Sequence, residues 1–343
     1  MDVTIYNLHS NVECQLLVSA SALISYNINC TLYISQIAIY NSTIRANSIN
    51  TLVELSVLAA GIIGIDNYYN YKGNQNGNTF TNINNIKIAN TTIKAYSQFQ
   101  ESYAAGIHAW SYQSFNQVSN INIINTNISC SGIKHLRNGG IYAVLYYSFS
   151  KLNGINIISS SLNADTIQDP INANFNIYSG YIMGTQWIQS NIELFSTHIS
   201  NSNISTTGNI YVVQAACLIG VVRGNTSIQD IQISNIFMNL SGTIIVASTL
   251  ISSFDHNLQY MNYLTIYNMN VQTVTMITQN SVQNQIKFIA SSFNSLSDSK
   301  ITITIKNSMS LGYSSVNGNR IQNCDQLQIL DVNNVYQVTD RGC

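Results

Sequence analysis

The sequence predicts an all-β chain, a single-stranded parallel β-helix or solenoid of about eight coils with terminal caps. Three observations point there. The first is a template, apolar–x–apolar–x–Asn–x–x–apolar, written "IAIYNSTI" at 37–44, "IKIANTTI" at 86–93 and "INIINTNI" at 121–128. The second is a box, small–apolar–apolar–small, that precedes each template: "GIIG" at 61–64, "GIHA" at 106–109, "GIYA" at 140–143. The third is composition. Only 8% of the 343 residues are charged, 45% are hydrophobic, and Pro170 is the single proline. Soluble domains average about 25% charged residues, so amides and hydroxyls must keep this surface wet. A strand-rich stack tolerates such a sequence, because few prolines interrupt its ladders.

In chain order, residues 1–20 fit neither template and are expected to form an N-terminal cap, since an open solenoid end exposes unpaired strand edges. Residues 21–310 form the repeat domain. Its apolar pairs run Ile37/Ile39, Ile86/Ile88, Ile121/Ile123, Ile155/Ile157, Thr197/Ile199, Ile231/Ile233, Leu264/Ile266 and Ile303/Ile305. Alternation of this kind is a strand with one buried face. Starts at 86, 121 and 155, then at 197, 231 and 264, lie 33 to 35 residues apart. No amphipathic helical period interrupts them. A unit this short cannot bury its own apolar face, and stacking lets each copy bury its neighbour's. The second box position, Leu23, Ile62, Ile107, Ile141, Ile182, Leu218 and Leu250, is always aliphatic and reads as a core file. The third, which includes His108 and Tyr142, varies and reads as outward, and the small fourth residue reads as inward. Stretched spacing marks outer loops at 66–78, with Tyr68, Tyr69 and Tyr71, and at 163–176. Residues 311–343 read as a C-terminal cap or the start of a further segment.

The template asparagines, Asn41, Asn90, Asn125, Asn201, Asn235, Asn268 and Asn307, with Ser159 once, are expected to line up as a buried asparagine ladder at one corner. Seven N-x-S/T sequons occur, at Asn29, Asn41, Asn90, Asn127, Asn203, Asn225 and Asn239. Ladder membership would hide Asn41 and Asn90 from glycan attachment.

The boxes and the Asn/Ser-rich strands after them resemble GLUG-motif repeats, which occur in β-solenoid surface and adhesin-like proteins. Gly61-Ile62-Ile63-Gly64 matches apart from Ile for Leu, Gly106 and Gly140 match the first glycine, and Gly184 and Gly220 the second. The wording also looks like that of repetitive surface proteins of AT-rich protist genomes. The resemblance implies a secreted or surface-displayed module and no activity.

Function classes narrow accordingly. Thirteen basic and 14 acidic residues are scattered singly, so no basic stripe suits nucleic acid. No apolar stretch reaches the roughly 20 residues of a membrane-spanning helix, and Met1–Gln15 carries no leader pattern. Cys14, Cys30, Cys130, Cys217, Cys324 and Cys343 show no metal spacing; most read as small buried residues, with Cys14–Cys30 and Cys324–Cys343 able to close end loops. A pectin-lyase-like fold also hosts lyases and glycoside hydrolases, which need carboxylates at matched positions of adjacent coils. Asp230 is matched by the uncharged Ser196 and Tyr263, Asp255-His256 by Val222 and Phe288, and Asp165 and Asp169 share one loop. His9, His108, His135, His198 and His256 have no ligand spacing, and His108 and His198 read as surface residues. No catalytic, cofactor-binding or metal residue is therefore assigned. The expectation is a non-catalytic extracellular or cell-surface binding module, adhesin-like or structural, whose partner is a glycan or a host or self surface protein. A carbohydrate-active enzyme and an intracellular structural or scaffold solenoid are the alternatives.

Overall fold

The computed structural model describes residues 3–13, 18–27, 30–48, 56–66, 79–98, 101–166, 176–187, 190–208, 210–254, 262–279, 283–287, 290–292, 301–316 and 319–320. These residues wind into a parallel β-solenoid. One coil shows the design. Strand Ser114–Ile124 bends at Asn120, the chain turns at Asn125, and strands Asn127–Gly132, Leu136–Gly139 and Tyr142–Tyr146 close the winding. Phe149–Ile158 then starts the next.

Equivalent strands stack in three sheets: one of fifteen strands that wraps around the corner, and two of eight. Among the described residues every pairing between coils is parallel, and the one antiparallel pair joins Ser315–Val316 to Asn319–Arg320. Ile86, Ile121, Ile155, Thr197 and Ile231 face one another in register. The stack begins at Val3, which pairs with Ile37, so the first strands join the ladder directly. Among the described residues no helix is long and apolar enough to cross a membrane.

The core file is as expected from Ile62 onward, while Leu23 in the first coil is only half-buried. Ile62, Ile107, Ile141, Ile182, Leu218 and Leu250 are fully buried in one apolar cluster. Ile107 N–H donates to Ile141 O at 3.2 Å and Ile182 N–H to Leu218 O at 2.9 Å, so neighbours lie on successive coils.

Four expectations need correction. The third box position is as buried as the second: Ile63, Tyr142, Met183, Ile219 and Ile251 join the same core, and His108 is fully buried. The box is a corner, with its bend at residues 61–62, so strand alternation does not carry across it. The small fourth residue faces out of the core, into the re-entrant angle between the second and third sheets. Ala109 and Ala143 pack there with Leu58, Ala60, Ile65, Tyr103 and Val144. A Cβ on Gly220 would fall 2.4 Å from Gly184 O and 2.9 Å from Ser179 N, which is why the position stays small.

The third correction concerns register. Leu264 and Ile266 pair with Thr226 and Ile228, while Met269 and Val271 face Ile231 and Ile233. Ile303 and Ile305 continue the Leu264/Ile266 column. The long strand has two arms, each ending in a left-handed residue, and both arms can read apolar–x–apolar–x–Asn. Asn268 therefore belongs to the column of Asn85, Asn120 and Asp230, and it is Asn268, not Tyr263, that answers Asp230.

The fourth is the ladder. Asn41, Asn90, Asn125, Asn201 and Asn235 do share a corner, with φ between 48° and 53°, but they are exposed. Asn125 Nδ2 donates to Asn90 Oδ1 at 3.3 Å and Asn235 Nδ2 to Asn201 Oδ1 at 3.1 Å. Asn41 and Asn90 are thus open to solvent rather than hidden. The buried column is formed by the next residue, Ser42, Thr91, Thr126, Ser160 and Ser202. Each hydroxyl donates to the carbonyl two residues back, as Ser160 does to Ile158 O at 3.0 Å. Its oxygen accepts the neighbouring coil's N–H: Thr126 N to Ser160 Oγ is 3.2 Å, and Ser160 N to Ser202 Oγ is 3.0 Å. Corner amides with no strand partner are satisfied this way.

Candidate functional site

The expected site-like residues are dispersed. Asp230 accepts from Asn268 Nδ2 at 2.7 Å and from Gln229 Nε2 at 3.2 Å, as part of an exposed corner column. Asp165 accepts from Thr207 Oγ1 at 2.8 Å. His198 lies half-buried on the outer face beside Ser200, 2.9 Å away. Asp169, Asp255, His256, the tyrosines at 68, 69 and 71, Cys14, Cys324, Cys343 and the sequon at Asn29 lie outside the described residues. Cys130 and Cys217 are buried thiols whose ionisation burial pushes up, consistent with packing roles. Among the described residues no group of His, Cys, Asp and Glu is arranged to hold a metal.

Two interior groups carry unusual electrostatics. Asp66, expected at the start of an outer loop, is fully buried and accepts from Asn27 Nδ2 at 2.8 Å and Thr81 Oγ1 at 3.0 Å. Burial pushes its pKa up to about 6, against the lowering effect of these hydrogen bonds. His108 packs edge-on to Tyr142, with centroids 5.1 Å apart, and neither ring nitrogen has a hydrogen-bond partner. Desolvation lowers its pKa to about 3. Both sit inside the coil, where no substrate reaches them.

The outer face of the first sheet is different. Phe80, Phe115 and Phe149 occupy one register column and stack, with centroids 5.6 and 5.0 Å apart and planes within 16°, and Tyr33 leans on Phe80 at 5.9 Å. Rings stacked in this way cover one another's faces. The column ends at Phe149, because the next two coils place Asn191 and Asn225 there. Phe149, half-buried where Phe115 is exposed, lines a depression of about 350 Å³ together with Asn191, Asn225, Ile192, Glu193, Thr226, Ser227 and Thr265. Side chains two apart on a strand share a face, so Asn191 with Glu193, and Asn225 with Ser227, point outward together. Lys151 Nζ lies 3.7 Å from Glu193 Oε2 and 5.5 Å from the Phe195 ring centroid, an exposed ion pair at the rim. A depression lined by one aromatic ring with amides, hydroxyls and one carboxylate can hold a small polyhydroxylated ring: CH groups against the phenyl ring, hydroxyls on the polar rim.

Beside it, around the corner at Tyr147 and Ser148, lies an aromatic–guanidinium array. Tyr112 stacks on Tyr146 at 5.2 Å, Tyr146 meets Trp187 at 5.9 Å, and the Arg223 guanidinium lies 4.1 Å from the Trp187 centroid. Behind it, Arg137 is wedged between Tyr103 and Tyr178 at 4.9 and 5.2 Å and paired with Glu101 at 2.9 Å.

None of these groups carries a recognisable motif. Their one trace in the sequence is the spacing of Phe80, Phe115 and Phe149, 35 and 34 residues apart, and its interruption at Asn191. No family model, curated protein or solved structure matches the chain.

Proposed function

We propose that the chain is a non-catalytic, adhesin-like binding module, extracellular or displayed on a cell surface, that holds a glycan in the depression at the end of the phenylalanine column. The observation that carries this reading is the depression in which Phe149, at the end of its column, lies beside outward amides and hydroxyls on consecutive coils. A rigid stack presents those groups without ordering a loop, which lowers the entropic cost of binding. The lining includes one carboxylate, Glu193, whereas glycoside hydrolysis uses two. Binding rather than turnover is therefore favoured.

The test is a glycan-array screen followed by calorimetry. Phe149→Ala is expected to weaken the selected glycan by at least tenfold while leaving Tm within a few degrees. Equal affinity for the variant would remove the depression from the reading. Hydrolysis or elimination of any polysaccharide, lost on Asp255→Asn or Glu193→Gln, would replace the binding reading with an enzymatic one.

A further inference from the structure

We infer that the glycan is an uncharged, straight, β-linked chain of several sugar units lying along the stack, its first ring against Phe149 and its last beside Thr265. The inference rests on the glycan reading above and adds the length, linkage and charge of the ligand.

The depression is elongated. Its lining begins at Phe149 and ends at Thr265, and between them come Asn191 with Glu193 on the next coil and Asn225 with Ser227 on the one after. The register sorts these residues into two outward columns. Phe149, Asn191 and Asn225 form one, and Glu193, Ser227 and Thr265 the other. Three windings separate the two ends, about 14 Å at about 4.8 Å per step, whereas the columns stand two residues apart on a strand, about 7 Å. The long axis of the site is therefore the axis of the solenoid. No register shift interrupts either column between Phe149 and Thr265, so both climb straight.

That shape selects among glycans. A pyranose ring, counted from one bridging oxygen to the next, is about as long as one winding is high. A chain whose bridging bonds both leave the ring equatorially stays extended and advances one ring per winding. An axial bond turns each ring against the last and curls the chain off the columns. The polar groups match the extended repeat, because successive windings offer Asn191, then Asn225 with Ser227, then Thr265. Phe149 supplies the apolar seat at one end, where ring CH groups pack. The stack holds all these groups in place before binding, so each added ring meets partners already ordered. Glu193 is the charged residue of the lining and sits midway along it. A chain with a carboxylate on every ring would bring like charges together there, a penalty that a neutral chain escapes.

The test uses the full chain and calorimetric titration with β-1,4-linked oligomers of glucose, mannose and N-acetylglucosamine, from one unit to five, and with the α-1,4-linked glucose oligomers alongside. In at least one β-linked series, affinity should climb about threefold to tenfold with each unit up to the third, as each ring adds one or two rim hydrogen bonds, and level off beyond the fourth. The α-linked series should gain nothing after its first ring. Phe149→Ala should weaken every member of the β-linked series, whereas Thr265→Ala should leave the monosaccharide and disaccharide unchanged and remove the last step of the climb. Tm of each variant checks folding, and the length series of the unaltered chain decides the matter if a variant unfolds. A β-linked series that is flat from the monosaccharide onward, or an α-linked series that gains equally, overturns the extended-chain assignment while leaving the glycan reading intact. Phe149-dependent binding confined to branched or acidic glycans does the same. No binding of these oligomers or of any glycan on an array overturns the reading beneath it.

Discussion

Inside the coil, His108 and Asp66 are the two residues whose environment conflicts most with their chemistry. A buried polar group left without partners costs roughly 1–3 kcal/mol, and His108 leaves both nitrogens unmet. With its pKa lowered from 6.5 to about 3, the histidine binds its proton more weakly folded than unfolded. Its effect on stability is constant above pH 6.5, and stability is lost as pH falls from there toward 3. His108→Leu is expected to raise Tm by a few degrees at pH 7 and by more at pH 5, measured by calorimetry; a lower Tm at both would contradict the unmet-nitrogen assignment. Asp66 has the opposite sign. Its folded pKa of about 6 exceeds the ordinary 3.8, so stability is highest below pH 3.8 and falls as pH rises toward 6. Asp66→Asn keeps an acceptor for Asn27 and Thr81 and removes the titration. Relative to the variant, wild type should lose stability between pH 4 and 6.5, and parallel pH profiles would show that Asp66 does not titrate there. Neither burial was legible from the sequence. His108 sits in a varied box position, and Asp66 sits where the spacing begins to stretch; both look exposed until the corner geometry is known.

Among the elements, the corners separate two kinds of column that the sequence shows as one. The asparagines were legible because a left-handed residue recurs once per coil, and Asn adopts that conformation readily. Their exposure was not legible, because the same spacing fits a buried or a surface ladder. The serine or threonine that follows four of these asparagines does the buried work, and the signal was available in Asn41-Ser42, Asn90-Thr91, Asn125-Thr126 and Asn201-Ser202, whereas Asn235 is followed by Ile236. Ser160→Ala leaves the Thr126 amide without its acceptor and should lower stability by about 1–3 kcal/mol. Asn235→Gly keeps the positive φ and loses only an exposed side-chain bond, so it should be near neutral. Asn235→Leu adds left-handed strain of about 1–2 kcal/mol. Urea titration of the three variants should rank Asn235→Gly above both others; a Ser160→Ala variant as stable as wild type would show that the hydroxyl column contributes nothing. The misplaced coil has the same origin. Leu264-x-Ile266-x-Asn268 repeats the arm before the corner, and only the pairing across coils separates it from the arm after.

At the scale of the whole molecule, the periodicity was enough. A box and a template in fixed order placed the aliphatic file and the parallel winding, because a parallel stack repeats one environment per winding. What periodicity does not assign is a role for the place where a column stops repeating, and the proposed glycan site lies at such a break: phenylalanine gives way to asparagine at 191. Function in a solenoid of this kind resides in the departures from the repeat. Arg45, Lys94, Ser129, Asn163, Ser205 and Asn239 face one another on six successive coils. Electron–electron dipolar spectroscopy between a nitroxide at Arg45 and one at Asn163, Ser205 or Asn239, attached through non-natural residues, measures the stacking directly. Distances should climb in equal steps of about 4.8 Å per winding, near ~14, ~19 and ~24 Å. Unequal or non-monotonic steps would contradict the parallel, in-register winding on which the aliphatic interior and the glycan site both depend.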